Sequence, residues 1–69
     1  MHGMDTYLPE TPIRYTVDNL GLIGREECVT KGELGRVIGP GPDEGWIYTE
    51  PMKHPGAICP VSAGMIEAA

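Results

Sequence analysis

Apolar and polar residues alternate along this chain in short runs, the pattern typical of half-buried β-strands. In the segment IRYTVD, the side chains of Ile13, Tyr15 and Val17 share one face. The later segment GWIYTE is rich in aromatic and β-branched residues, which favour strands. We therefore expect an all-β domain, a small barrel or sandwich, with five strands near residues 13–18, 28–38, 45–50, 57–60 and 65–67.

Glycine and proline separate these strands and limit the fold to one small domain. The 69 residues include ten glycines and seven prolines, which leave no uninterrupted segment for a helical bundle. Residues 39–44 predict a loop, because four consecutive Gly/Pro positions are not expected to pair in a ladder. A 3₁₀ turn is expected at 62–64. Residues 1–12 predict an extended N-terminal tail, and residues 13–69 the folded domain.

The expected core consists of the aliphatic residues at strand positions. These side chains are the large apolar groups that a chain without phenylalanine has available for packing. The residues assigned to the core in this way are Val17, Leu34, Val37, Ile47, Ile58 and Ile66.

The charge of the chain excludes several classes of partner. Ten acidic and five basic residues give a net charge of −5, and no Lys/Arg cluster occurs. Nucleic-acid binding and anionic membrane surfaces require such a basic cluster, so we expect neither partner. No apolar run is long enough to span a membrane, and the first residues lack the features of a signal peptide. A cytoplasmic location is therefore expected.

Catalytic and metal-binding patterns are not found in the sequence. Cys28 and Cys59 could form one disulfide, but two small half-buried thiols are the ordinary state in a reducing compartment. The spacing of cysteine and histidine fits no metal site, so no metal or cofactor is expected. A domain of this size also lacks room for the deep, desolvated pocket that acid–base catalysis needs, and we expect no enzyme activity.

The order of motifs resembles that of an SH3 domain, or of the wider group of SH3-like small barrels. Lys31-Gly32-Glu33 is similar to the family's Lys-Gly-Asp turn before the second strand, and Gly45-Trp46-Ile47 to the opening of its third strand. Gly56 to Pro60, followed by Ile66-Glu67, is similar to its closing Gly-x-x-Pro, 3₁₀ turn and Val-Glu. The resemblance spans residues 13–67, lacks the family's tyrosine after that proline, and implies a five-stranded SH3-like barrel.

This resemblance also implies a surface that binds a protein partner. Trp46 would stack against a proline-rich ligand, or else fill the core, a role that the absence of phenylalanine favours. Tyr15 has the same two interpretations, and Tyr48 would share a strand face with Trp46. Glu26 and Glu27 would pair with a ligand's Arg or Lys, or form an ordinary solvated loop. The candidate binding residues are Tyr15, Glu26, Glu27, Trp46, Tyr48 and Pro60.

The expected function is that of a non-enzymatic protein–protein interaction module, a small accessory or structural subunit that docks on a larger assembly. The partner would be a protein, either proline-rich or part of a larger complex, and a homo-oligomer is a further option. The alternative is an acidic inhibitor or nucleic-acid mimic that blocks a basic site of its partner. Residues 9–14 themselves fit the ligand pattern PxxPxR, and a polyproline lead-in to the first strand is the favoured interpretation.

Overall fold

The computed structural model describes residues 7–69, which form an all-β fold with one 3₁₀ helix. The 3₁₀ helix, Ala63–Met65, follows the sixth strand at the turn that the sequence predicts. The strands are β1 (Pro12–Tyr15), β2 (Leu20–Gly21), β3 (Cys28–Val29), β4 (Leu34–Pro40), β5 (Trp46–Pro51), β6 (Cys59–Ser62) and β7 (Ile66–Ala68).

Five of these strands form a single antiparallel sheet in the order β6-β5-β4-β1-β7, and β2 and β3 form a separate two-stranded ribbon. The first strand therefore lies in the interior of the sheet, between β4 and β7. The ribbon is attached beside β6, where the Ile23 N–H donates to the Ile58 carbonyl at 2.9 Å. Within residues 7–69, no ladder joins the edge strands β6 and β7, so the strand pairing shows an antiparallel all-β fold and does not by itself show a closed barrel.

A tight turn divides the strand that the sequence predicts over residues 28–38. The Glu33 N–H donates to the Thr30 carbonyl at 3.1 Å, and Gly32 has φ +96°. Glycine tolerates this left-handed conformation at the third position of the turn, where other residues are strained. The prediction of one continuous strand is therefore wrong, because β3 ends before this turn and β4 begins after it.

The loop predicted at residues 39–44 is shorter than expected. Gly39 pairs with Tyr48 and Pro40 pairs with Ile47, after a bulge that interrupts the register at position 38. Pro40 is the last residue of β4, where the Gly41 N–H makes the bond to β5 and the bonds of β4 to the segment that precedes β1 have ended at Val37, so the ladder needs no N–H from the proline. The expectation that these Gly/Pro positions cannot pair is therefore wrong for Gly39 and Pro40.

The core lies on one face of the five-stranded sheet and is covered in part by the β2–β3 ribbon. Leu34 was expected to be buried, but it is 40% exposed because the inward positions of β4 are Gly35 and Val37. Of the other expected core residues, Val37, Ile47 and Ile66 are buried, while Val17 and Ile58 are only half-buried. The buried apolar residues are Ile13, Tyr15, Leu22, Val29, Val37, Ile47, Ala57, Cys59, Val61 and Ile66.

The segment that precedes β1 turns sharply. The Thr11 N–H donates to the Leu8 carbonyl at 3.0 Å, and Glu10 has φ +75°, as the third residue of a type II turn does. A polyproline helix needs a negative φ, so the PxxPxR pattern at 9–14 does not adopt the lead-in conformation expected for it. Residues 1–6, the rest of the expected tail, lie outside the described part of the chain.

Candidate partner-binding surface

The alternation of β5 determines where the only tryptophan of the chain lies. Ile47 and Thr49 point into the core, so Trp46 and Tyr48 share the outer face of the sheet, as the sequence predicts. The Trp46 side chain is 36% exposed. Trp46 therefore does not fill the core, and part of its surface is open to solvent.

Trp46 lines a groove of about 430 Å³ between two parts of the chain. We call this the Trp46 groove. One wall is the N-terminal arm, residues 7–11, which contributes Tyr7, Leu8 and Pro9. The other wall is the hairpin between β4 and β5, which contributes residues 39–41 and 43–47. The groove thus combines an aromatic ring and apolar side chains with the carboxylates of Asp43 and Glu44.

The shape of the hairpin wall depends on close backbone contacts. The Gly41 N–H donates to the Trp46 carbonyl at 2.8 Å, and the Trp46 N–H donates to the Asp43 carbonyl at 3.1 Å. A Cβ atom at Gly41 would lie 2.6 Å from the Trp46 carbonyl carbon and oxygen, closer than real Cβ atoms approach. Gly45 has φ +85°, which again favours glycine. These two glycines allow the hairpin to present Trp46 at the edge of the groove.

The N-terminal arm is held against β4 by backbone and side-chain bonds. The Glu10 N–H donates to the Val37 carbonyl at 2.8 Å, and the Val37 N–H donates to the Thr11 carbonyl at 3.0 Å. Arg36 also binds the carboxylates of Glu10, at 3.0 Å, and Glu50, at 2.7 Å. The backbone bonds extend the pairing of β1 with β4, so the arm forms a defined wall of the groove.

Tyr15, one of the predicted binding residues, belongs to the core. It is fully buried, and its hydroxyl lies 2.7 Å from the Thr49 hydroxyl oxygen. Thr49 donates its only hydroxyl hydrogen to the Cys59 carbonyl at 2.7 Å, so Tyr15 must be the donor to Thr49. Burial raises the pKa of Tyr15 to about 12. A partner cannot reach this side chain in the folded protein, and its role is structural.

The other predicted binding residues lie outside the Trp46 groove. Tyr48 and Pro60 are half-buried and face each other across β5 and β6. Glu26 and Glu27 are exposed in the connection between β2 and β3. None of these four side chains lines the groove that contains Trp46.

Sequence reasoning missed the residues that line the groove with Trp46. Asp43 and Glu44 come directly before the Gly45-Trp46 pair, so their position at a hairpin tip beside an aromatic residue was a usable signal. Tyr7 and Leu8 lie in the predicted tail. Their apolar character was a weaker signal, since only the bonds to β4 bring them to the groove.

The two cysteines and the metal-ligating side chains were candidates for chemistry in the part of the chain that the structure describes. Both cysteines are free thiols: Cys28 is exposed, and burial raises the pKa of the Cys59 thiol to about 11. Among residues 7–69, no group of three or more His, Cys, Asp or Glu side chains could hold a metal ion. The same residues contain no helix that is long and apolar enough to cross a membrane.

No protein-family model matches this chain, and no curated protein or solved structure is significantly similar to it.

Proposed function

We propose that this chain is a non-enzymatic protein–protein interaction module with an SH3-like barrel fold, a small accessory subunit that docks on a larger assembly through the Trp46 groove. The observation that carries the proposal is the partly exposed ring of the only tryptophan, placed at the edge of an apolar groove. Rigid aromatic side chains in such positions dominate the binding energy of many protein interfaces.

The chemistry of the groove favours a proline-rich ligand segment that carries a basic residue. Aromatic walls accept a preformed polyproline helix, which loses little conformational entropy on binding. Asp43 and Glu44 line the same groove, and neither forms an ion pair with another described residue. Their carboxylates, rather than those of Glu26 and Glu27, are the groups that we expect to pair with an Arg or Lys of the ligand.

Three features support the SH3-like part of the proposal. The glycine turn at Lys31-Gly32 precedes β4, as the family resemblance implies. The 3₁₀ helix Ala63–Met65 follows Pro60 and leads directly into Ile66-Glu67. The sheet also places β1 between β4 and β7, so the two ends of the domain pair with each other.

Mapping of the contact surface by NMR tests this function. A synthetic proline-rich peptide with one arginine would be titrated into the isotope-labelled protein. We expect the largest shifts at the Trp46 indole N–H and the backbone amides of Gly41 and Gly45, because these three residues line the groove. Shifts confined to other parts of the sheet would contradict the proposed site, and a matched peptide without proline serves as the control.

The alternative function, an acidic inhibitor or nucleic-acid mimic, is favoured by one observation. Glu26, Glu27, Asp43 and Glu44 are exposed and form no ion pair with any described residue, so a basic partner could approach them. Binding by mimicry depends on many charge pairs, so its affinity falls steeply as salt is added. The affinity of docking through an aromatic groove should fall much less. The salt dependence of binding to a natural partner therefore separates the two functions.

A further inference from the structure

A second groove, of about 710 Å³, lies between the turn that precedes β4 and the connection that follows β5. Its apolar part is formed by Leu34 and Met52, which are 40% and 69% exposed. The Met52 N–H donates to the Leu34 carbonyl at 2.9 Å and so holds the two residues together. Lys31 and Lys53 also line this groove, which we call the lysine groove. It shares no lining residue with the Trp46 groove.

The lysine groove is unusual in its charge. Two of the five Lys/Arg residues of the chain line it, although the net charge of the chain is −5. Neither Lys31 nor Lys53 forms an ion pair with any residue in the range 7–69, and the same is true of Arg25 outside the groove, whereas Arg14 and Arg36 are paired. Among residues 7–69, Glu33 is the only acid in the lining. Its Oε2 accepts the Thr30 N–H at 2.8 Å and its Oε1 is buried, so the carboxylate faces the turn more than the solvent.

Another surface of the same chain has the complementary chemistry. The Arg25 N–H donates to the Leu22 carbonyl at 3.3 Å and Gly24 has φ +72°, which together make a tight turn. Ile23 lies at the tip of this turn and is 55% exposed. Arg25, Glu26 and Glu27 are exposed and without an ion-pair partner among the described residues, so two carboxylates outnumber one guanidinium on this surface. We call this surface the Ile23 turn.

We propose that the lysine groove of one copy binds the Ile23 turn of a second copy. The Ile23 side chain would lie on Leu34 and Met52, while Glu26 and Glu27 would pair with Lys31 and Lys53. The groove and the turn are different surfaces, so a single contact joins copies head to tail, and a reciprocal pair of such contacts closes a two-fold dimer. It uses no residue that lines the Trp46 groove, and the assembly would present several such grooves to a multivalent partner.

This inference goes beyond the proposed function, and analytical ultracentrifugation of the full chain tests it. From micromolar to millimolar concentration at low ionic strength, we expect the weight-average mass to rise above that of the monomer. High ionic strength should return the mass toward the monomer, because exposed ion pairs are screened. A wild-type chain that stays monomeric at millimolar concentration and low salt would overturn the proposal.

Charge exchange identifies the two surfaces. A groove variant with Lys31→Glu and Lys53→Glu, and a turn variant with Glu26→Lys and Glu27→Lys, should each raise the dissociation constant of self-association roughly tenfold or more. An equimolar mixture of the two variants should associate again, because every groove then meets a turn of opposite charge. If both variants are folded by circular dichroism and the mixture remains monomeric, the assigned surfaces are wrong.

A control variant keeps this test separate from that of the Trp46 groove. Trp46→Ala should self-associate like the wild type, and the groove and turn variants should bind the proline-rich peptide like the wild type. Loss of self-association in Trp46→Ala would also overturn the assignment, since the proposed contact contains no residue of that groove.

Discussion

Replacement of Tyr15 by phenylalanine tests the buried hydrogen-bond network most simply. The change removes one hydroxyl and retains the ring, so Thr49 keeps its bond to the Cys59 carbonyl but loses the donor at 2.7 Å. Loss of one buried hydrogen bond with its acceptor left unpaired costs about 1–2 kcal/mol. We expect Tyr15→Phe to lower the free energy of unfolding by this amount at neutral pH.

The same residue makes stability depend on alkaline pH. The pKa of Tyr15 is raised from 10.0 to about 12 in the folded protein, because burial favours the neutral hydroxyl. This stabilisation is complete below pH 10 and is lost as the pH rises through 12, a change on the order of 3 kcal/mol at its limit. Cys59 adds a loss in the same direction, since burial raises its pKa to about 11. Only the Tyr15 part should disappear in Tyr15→Phe.

Urea unfolding followed by circular dichroism at neutral and alkaline pH measures both effects. Tyr48→Phe is the matched control, because Tyr48 lies on the outer face of β5 and its hydroxyl has no partner in the buried network. The free energy of unfolding of the control should follow that of the wild type at every pH. If Tyr15→Phe is as stable as the control, or loses as much stability at alkaline pH as the wild type does, the hydrogen-bond network does not stabilise the fold.

Three further predictions concern packing and acid stability. Gly35→Ala should destabilise the fold by roughly 1–3 kcal/mol in urea unfolding, because a Cβ there would lie 2.7 Å from the Tyr15 hydroxyl oxygen; unchanged stability would mean that the site can relax. Val37→Ala should lower the free energy of unfolding by roughly 2–3 kcal/mol and Ile58→Ala by less, since only Val37 is fully buried. If thermal melting shows that Ile58→Ala is the less stable variant, the assignment of Val37 to the centre of the core is contradicted. The Gly56 N–H and Arg36 lower the pKa of Glu50, so stability should be present above pH 4.5 and fall as acid titrates that carboxylate. Glu50→Gln should show a smaller acid loss, and an equal loss would exclude Glu50 as its source.

The sequence predicts the parts of this fold that depend on local pattern. The alternating residues Ile13 and Tyr15 predict a strand and lie in β1. The aromatic and β-branched run that begins at Trp46 also predicts a strand, and it forms β5. Both signals are strong because the period of a strand is visible within a few residues. The 3₁₀ helix Ala63–Met65 is also local, because it lies at a small-residue turn between two strands.

Which side chains of a strand point into the core is harder to predict than the presence of the strand. Residue size suggests that Leu34 and Ile58 point inward, yet the inward positions are the neighbouring Gly35 and Cys59. At Gly35 the Tyr15 hydroxyl occupies the space that a side chain would need. A shift of one residue reverses every side chain of a strand, and this choice is made by the partner strands, which lie far away in sequence.

The candidate site depends still more on distant contacts. Trp46 and the carboxylates of Asp43 and Glu44 come from one hairpin and could be grouped from the sequence. Tyr7 and Leu8 reach the same groove only because the N-terminal arm bonds to β4. A turn with positive φ at Glu10, a residue type that rarely adopts it, gave no sequence signal for that arrangement.

The Trp46→Ala variant tests the central claim, that the Trp46 groove is the partner-binding surface. Thermal melting and the affinity for the proline-rich peptide would be measured on one preparation. Ile38→Ala is the matched control, because Ile38 is an apolar residue that is 37% exposed and lines neither the Trp46 groove nor the lysine groove. We expect Trp46→Ala to melt near the wild-type temperature and to lose at least about tenfold in affinity, while the control binds normally. A folded Trp46→Ala protein that binds the peptide as the wild type does would contradict the claim.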